Sequence, residues 1–345
     1  MTPFPLAVTG VGMVTGVGRN APSSCAAIRC AIDNFTDTRY RDSGGEWIMG
    51  SEVVLDEPWR GRTKLLKMAA CAIQECLSHQ ALDPVTTPLL LCLSEQERKG
   101  RTIGDEHQFL VALQNELGMR FHEESCVIGR GHIAVAIALK NAQKLFQTFR
   151  LNHVLIVATD SLLMGPTLAF FEANDRLLTS SNFDGFIPGE AGVALALAPV
   201  HAREHGQLIC AGLGFSVETA PIHSDQPLRA DGLTTAIRDA LNDAGCAMHD
   251  MDFRITDLSG DQYYFKEASL ALLRLLRTRK DEFDIWHPAD CVGEVGAAIG
   301  PVMIAVLKAA CEKGYAKGRH ILAHLGNDDG KRSGMVFFWR LPGEK

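Results

Sequence analysis

The chain has 345 residues, 46% hydrophobic and 22% charged, which is enough apolar material for two ordinary domains or one large α/β unit. A net charge of −7 and the lack of a long Lys/Arg run give no electrostatic basis for a nucleic-acid partner. The start Met-Thr-Pro-Phe-Pro-Leu has neither the basic region nor the long apolar segment of a signal peptide, and no later apolar run is long enough to span a membrane, so a soluble cytoplasmic protein without membrane association is expected.

In chain order, Leu6–Gly18 reads as a buried strand breaking into a glycine-rich loop, after which Ser23 or Ser24 caps a helix over 25–33. Gly10-Val-Gly12 starts like a dinucleotide fingerprint, but the third glycine is missing and Met13 and Val14 continue the apolar run, so no nucleotide cofactor is expected. A helix over 62–79 with Leu65, Met68, Ile73 and Cys76 inward precedes a strand over 88–93 and a helix over 108–117. A strand follows over 154–158. The turn Asn182–Gly192 leads into a strand buried on both faces over 193–197. The charged segment His201–His205 is the expected seam, giving halves 1–203 and 204–345 of one compact unit. Beyond it come strand 207–215, helix 232–244, strand 253–258, helix 265–278, helix 296–313 and strands 319–325 and 333–340. The repeated element order suggests a duplicated α/β fold, although no residue-level repeat stands out.

The ten cysteines form no C-x-x-C pair and lie mostly in apolar segments, so buried free thiols are expected and no metal site. His201 and His205 have helical ligand spacing but fall in a charged connector, where a solvated loop is the preferred reading. The stretch 124–145 is the most informative. A short strand, Cys126-Val-Ile, runs into Gly129-Arg130-Gly131-His132 and then into a helix rich in small apolar residues. A tight turn into a buried helix is reactive-site geometry, because the helix start offers free N–H groups and a positive dipole end. The turn itself contains no nucleophile.

Several segments resemble the β-ketoacyl-acyl-carrier-protein synthases: Val8–Thr15, Phe183–Gly192, Ala230–Gly245 and Gly293–Ala298, in the family's order and across nearly the whole chain. The resemblance implies a thiolase-like fold, two duplicated halves in a five-layered αβαβα sandwich, and a homodimer formed through a strand near Ser125–Ile128. Condensation in that family uses a cysteine at the helix start and two histidines. Matching the flanking residues puts Gly131 at the cysteine, Asp257 at the first histidine and Glu294 or Gly293 at the second, and the family's gating loop becomes His324–Gly330. Loss of a nucleophile with its partners costs on the order of 10⁶ in rate. No catalytic residue is therefore expected.

Residual candidates remain. Cys126 is a displaced nucleophile or, preferably, a structural thiol. His132 is a base, or a histidine of lowered basicity at a helix start bonded to backbone, the second being preferred. Arg130 is a candidate contact for a phosphate such as that of a pantetheine arm. Asp257, Asp261, Glu267 and Glu294 gather as an acid/base or metal cluster, or Asp257 and Asp261 simply cap the helix at Phe265; capping is preferred. Asp328, Asp329 and Lys331 read as a solvated turn.

The resemblance implies a non-catalytic scaffold or adaptor with a protein partner. That partner is a secreted effector, as for degenerate synthases that accompany type VI secretion, or an acyl carrier protein or active synthase, as for a chain-length-factor-like subunit. The alternative is an acyl-thioester enzyme: an acyltransferase, decarboxylase or hydrolase using His132 or the carboxylates.

Overall fold

The computed structural model describes residues 4–80, 82–200, 206–341 and 343. The first half contains β1 (Leu6–Thr15), α1 (Ala21–Arg29), a hairpin of β2 (Thr36–Arg41) and β3 (Trp47–Gly50), α2 (Gly61–Ser78), β4 (Leu89–Leu93), α3 (Glu106–Leu117) and β5 (Cys126–Gly129). A 3₁₀ turn, Gly131–Ile133, then opens α4 (Ala134–Thr148), followed by β6 (Val154–Ser161), α5 (Gly165–Ala173) and β7 (Glu190–Pro199). The second half runs β8 (Gln207–Val217), α6 (Asp231–Ala244), β9 (Phe253–Thr256), α7 (Gln262–Leu275), β10 (Ile285–Trp286) and α8 (Ala289–Val292). Another 3₁₀ turn, Gly296–Ala298, opens α9 (Ile299–Glu312), and β11 (His320–Gly326) and β12 (Lys331–Arg340) close the chain. The expected seam His201–His205, its boundary and the His201/His205 pair lie outside the described residues.

The strands form one ten-stranded sheet, β10-β9-β11-β12-β8-β1-β7-β6-β4-β5, plus the separate β2–β3 hairpin. Outward from the short β1–β8 pairing, both halves follow one plan: two antiparallel joins, then two parallel joins. Three apolar clusters define the layers. α2 and α3 cover one outer face with Met68, Ile73 and Phe109, and α6 and α7 cover the other with Leu233, Ile237 and Ala271. Between the two half-sheets lie α4 and α9. α9 is apolar nearly all round, as burial between two sheets requires, with Ile299 to Leu307 buried without a break, whereas α4 buries Ala134–Ala136, Ala138, Leu139 and Ala142 and turns Lys144 and Gln147 to solvent.

The glycines of β1 have a packing reason rather than a cofactor one. A Cβ on Gly12 would lie 2.0 Å from the Ala72 carbonyl oxygen of α2, and a Cβ on Gly214 of β8 would lie 2.0 Å from the Ala236 oxygen of α6. Each half thus lays its first long helix directly on strand backbone, a residue-level echo of the duplication that the sequence does not advertise.

Two helix starts differ from expectation. α1 begins four residues early because Asn20, not Ser23 or Ser24, is the cap; Ser23 completes the box by bonding back to Asn20. α7 begins at Gln262, whose amide donates to Asp184 Oδ1 at 2.7 Å. Among the described residues no helix is long and apolar enough to cross a membrane.

Candidate functional site

The turn after β5 sets the geometry. Gly131 has φ +58°, and a Cβ built on it would lie 1.9 Å from Glu95 Oε1. Glu95 follows β4, which is parallel to β5, so the two strands deliver the glycine and the carboxylate side by side. Arg98 holds the carboxylate, with Nη2 2.6 Å and Nε 3.0 Å from Glu95 Oε2, and its Nη1 donates to Asp160 Oδ2 at 2.7 Å. Burial pushes the Glu95 carboxyl up, but Arg98 and then His132 outweigh it and keep it below its ordinary range. The volume a residue-131 side chain would need is occupied by an anion.

His132 is engaged at both ring nitrogens: Nδ1 lies 3.0 Å from Asp257 Oδ2 and Nε2 2.9 Å from Glu294 Oε1. Asp257 Oδ2 also accepts the Gly326 amide at 2.8 Å; Glu294 accepts the Gly296 amide and the Ser259 hydroxyl, each at 2.8 Å. Burial opposes charge on the ring, yet Glu294 and Asp257 raise its pKa well above 6.5, so the imidazolium form prevails. This corrects the expectation of a histidine of lowered basicity bonded to backbone. Two carboxylates within hydrogen-bond distance outweigh the helix dipole, whose influence is about 1 kcal/mol or less at an ordinary site.

Asp257 and Asp261 do not cap α7 through their side chains, a second correction. Asp257 is taken by His132, and Asp261 forms a two-pronged bond to Arg176, at 2.7 and 2.9 Å. Arg176 also reaches Asp328 at 3.1 Å, and the Tyr264 hydroxyl donates to the same carboxylate. Asp328 is therefore no free turn residue: with Asn327, Asp329 and Lys331 it lines a cavity, because the β11–β12 hairpin folds inward. Asn327 fixes that hairpin by donating to the Arg130 carbonyl at 2.8 Å and accepting the Ile133 amide at 3.3 Å. Glu267 goes elsewhere, to Arg332 at 2.9 Å. The four carboxylates are divided among His132, Arg176 and Arg332, and no His/Cys/Asp/Glu group suited to a metal ion occurs among the described residues.

The cavity measures about 470 Å³. Its floor carries the His132 and Glu95–Arg98 clusters, Phe171 and Phe186 form an apolar wall, and Lys99, Arg130 and His223 stand exposed at the rim. Cys126 is not part of it. That thiol lies on β5, packed against the central core, and burial and then Glu124 push its pKa up, away from the thiolate. None of the chain's cysteines lines the cavity. Sequence reasoning grouped Asp257 with Glu294 and named His132 apart from them, but missed Glu95, Arg98, Asp160 and Arg176, whose only signal was a charge at the end of a buried apolar strand or after a helix.

No family model matches the sequence, and no curated protein matches it. Solved structures do. The AntDE:AntF assembly, a type II polyketide acyl-carrier protein in complex with its ketosynthase, matches with TM-score 0.79 at 16% identity, covering 98% of this chain and 100% of that one. The ishigamide ketosynthase/chain length factor matches with TM-score 0.80 at 15% identity, covering 98% and 99%. The Xenorhabdus doucetiae ketosynthase ApeO in complex with its chain length factor ApeC gives TM-score 0.70 at 11% identity over 98% of both chains. The chain has the thiolase-type fold of ketosynthases and chain length factors. In this chain the central turn, both carboxylates on His132 and the inward hairpin converge on one cavity whose floor is held by ion pairs.

Proposed function

We propose that this ketosynthase-like chain is a non-condensing scaffold that acts by binding a protein partner. The observation that carries the reading is at Gly131: the position that the family resemblance assigns to the nucleophile has a positive φ, no side chain, and Glu95 in the space a thiol would fill. The positions assigned to the two histidines hold Asp257 and Glu294. Their charge has the wrong sign for an enolate, and both are occupied by His132. An acyl-thioester enzyme using His132 as base is disfavoured, since neither ring nitrogen is left to take a proton from a substrate.

The matched structures are assemblies of ketosynthases with a carrier protein or a chain length factor, which supports a protein partner and, as a second reading, a chain-length-factor-like subunit of an active synthase. We favour the adaptor form, with a secreted effector of type VI secretion as the partner. A hairpin that places Asp328, Asp329 and Lys331 against the cavity is poorly suited to an acyl chain. Arg130 at the rim remains the candidate contact for a phosphate. A homodimer through β5 fits its place as the last strand of the sheet, and gel filtration reads it directly.

The deciding experiment is incubation with acylated carrier protein, read by mass spectrometry. No acyl transfer or release is expected. Turnover that disappears in His132→Ala or Asp257→Ala would overturn the scaffold reading, and purification of the native complex identifies the partner.

A further inference from the structure

α7 packs Leu270, Leu272 and Leu275 against the cluster of Leu233 and Ile237, yet leaves two large apolar side chains outside it. It buries the small Ala268 and Ala271 together with Glu267, which bonds the buried Arg332, while Leu273 is 72% exposed and Phe265 38% exposed. Surface helices ordinarily turn their large apolar side chains to the core. Helical spacing lines up Gln262, Lys266, Ser269 and Leu273 on the outward side.

Charge along this helix is mostly of one sign. The exposed charged residues from 262 to 279, Lys266, Arg274, Arg277 and Arg279, are positive in a chain of net charge −7, and the exposed acids Asp281 and Glu282 follow them. The acid on the helix is turned inward. Asp231 answers Arg274, and Asp281 lies 3.7 Å from Arg279, but Lys266 and Arg277 meet no carboxylate among the described residues. At the helix start the Asp184–Gln262 bond holds in place a loop that presents Phe183, 85% exposed. The Asn182 amide donates to the carbonyls of Asp175, Leu177 and Asp184, so this aromatic is displayed on an ordered loop.

We propose that the outward face of α7 docks an acidic amphipathic helix of a partner protein. Phe265 and Leu273 are eight residues apart, about 12 Å along the axis. That is close to the two-turn spacing of apolar side chains on a facing helix, and the unanswered positive charges flank it. The apolar strip is one side chain wide and interrupted by Ser269, which is too narrow a face for insertion into a lipid surface. This surface deepens the partner-binding reading and rests on it.

The test uses the full chain and a fluorescent helical peptide of three heptads with Leu at the a and d positions and Glu elsewhere, against the same peptide with Lys for Glu. The Glu peptide binds the wild type, loses about tenfold in affinity in Leu273→Asp and in Arg277→Glu, and weakens with added salt, whereas the Lys peptide does not bind. Both positions are exposed, so circular dichroism of the variants matches the wild type. Failure of the Glu peptide to bind, equal binding to both variants, or Leu273-dependent binding of phosphatidylserine vesicles overturns the proposal. None of these outcomes bears on the acylated-carrier assay, and turnover in that assay sinks the non-condensing reading without changing peptide binding.

Discussion

Asp160 and Asn327 perform the same task from opposite halves of the chain. Asp160, in β6, accepts the Ala297 amide at 2.8 Å in the turn that opens α9; Asn327, just past β11, accepts the Ile133 amide at 3.3 Å in the turn that opens α4. Each half thus satisfies a free N–H at the start of the other's buried helix. Asp160 carries a second load, the Arg98 guanidinium.

The two substitutions therefore differ in cost. Asp160→Ala leaves a buried guanidinium short of a carboxylate and is expected to destabilise by roughly 3–5 kcal/mol. Asn327→Ala loses neutral hydrogen bonds and is expected to cost about 1–3 kcal/mol. Urea unfolding of both variants measures the difference, and equal losses would contradict the double role of Asp160.

Restoring a thiol at the turn is expected to fail sterically. Gly131→Cys drives a Cβ into Glu95 and places a non-glycine residue at φ +58°, a destabilisation of roughly 2–4 kcal/mol. Glu95→Gly in the same chain relieves the clash but not the backbone strain. A double-mutant cycle by thermal or urea unfolding should show favourable coupling of about 1 kcal/mol or more, and strict additivity would mean that Glu95 is not the obstacle.

His132 makes stability depend on pH with a definite sign. Its folded pKa is raised above 6.5, so its contribution is fully present below 6.5 and is lost as pH rises through the higher folded value. The stability difference between wild type and His132→Gln is expected to be largest near pH 6 and to shrink on the alkaline side. NMR of the ring should show imidazolium at pH 7.5, and a neutral ring at that pH would refute the assignment.

Arg176 ties the segment after α5 to Asp261 and to the β11–β12 hairpin through Asp328. Arg176→Met is expected to speed amide exchange across residues 326–331 and to destabilise by roughly 3–5 kcal/mol, because two carboxylates lose their cation. Arg176→Lys should recover little, since an ammonium cannot reproduce the planar fork that meets both Asp261 oxygens. Hydrogen exchange read by mass spectrometry checks both.

The alternation of elements and the lack of a cysteine anywhere in 130–134 were decided by sequence alone, because hydrophobic period and residue identity are local properties. The small-residue pattern of α4 likewise marked a buried helix, while 296–313 was legible only as a helix and packing showed α9 to be its counterpart between the half-sheets. Tertiary structure decided the state of the site. His132 meets Asp257 from 125 residues away and Glu294 from farther still, and the resulting charge reverses what its place at a helix start implies. Glu95 fills the space at Gly131 only because β4 and β5 run parallel with their ends level. Charges brought together by strand ends have no periodic signature along the chain, since the sheet, and not sequence spacing, sets which of them meet.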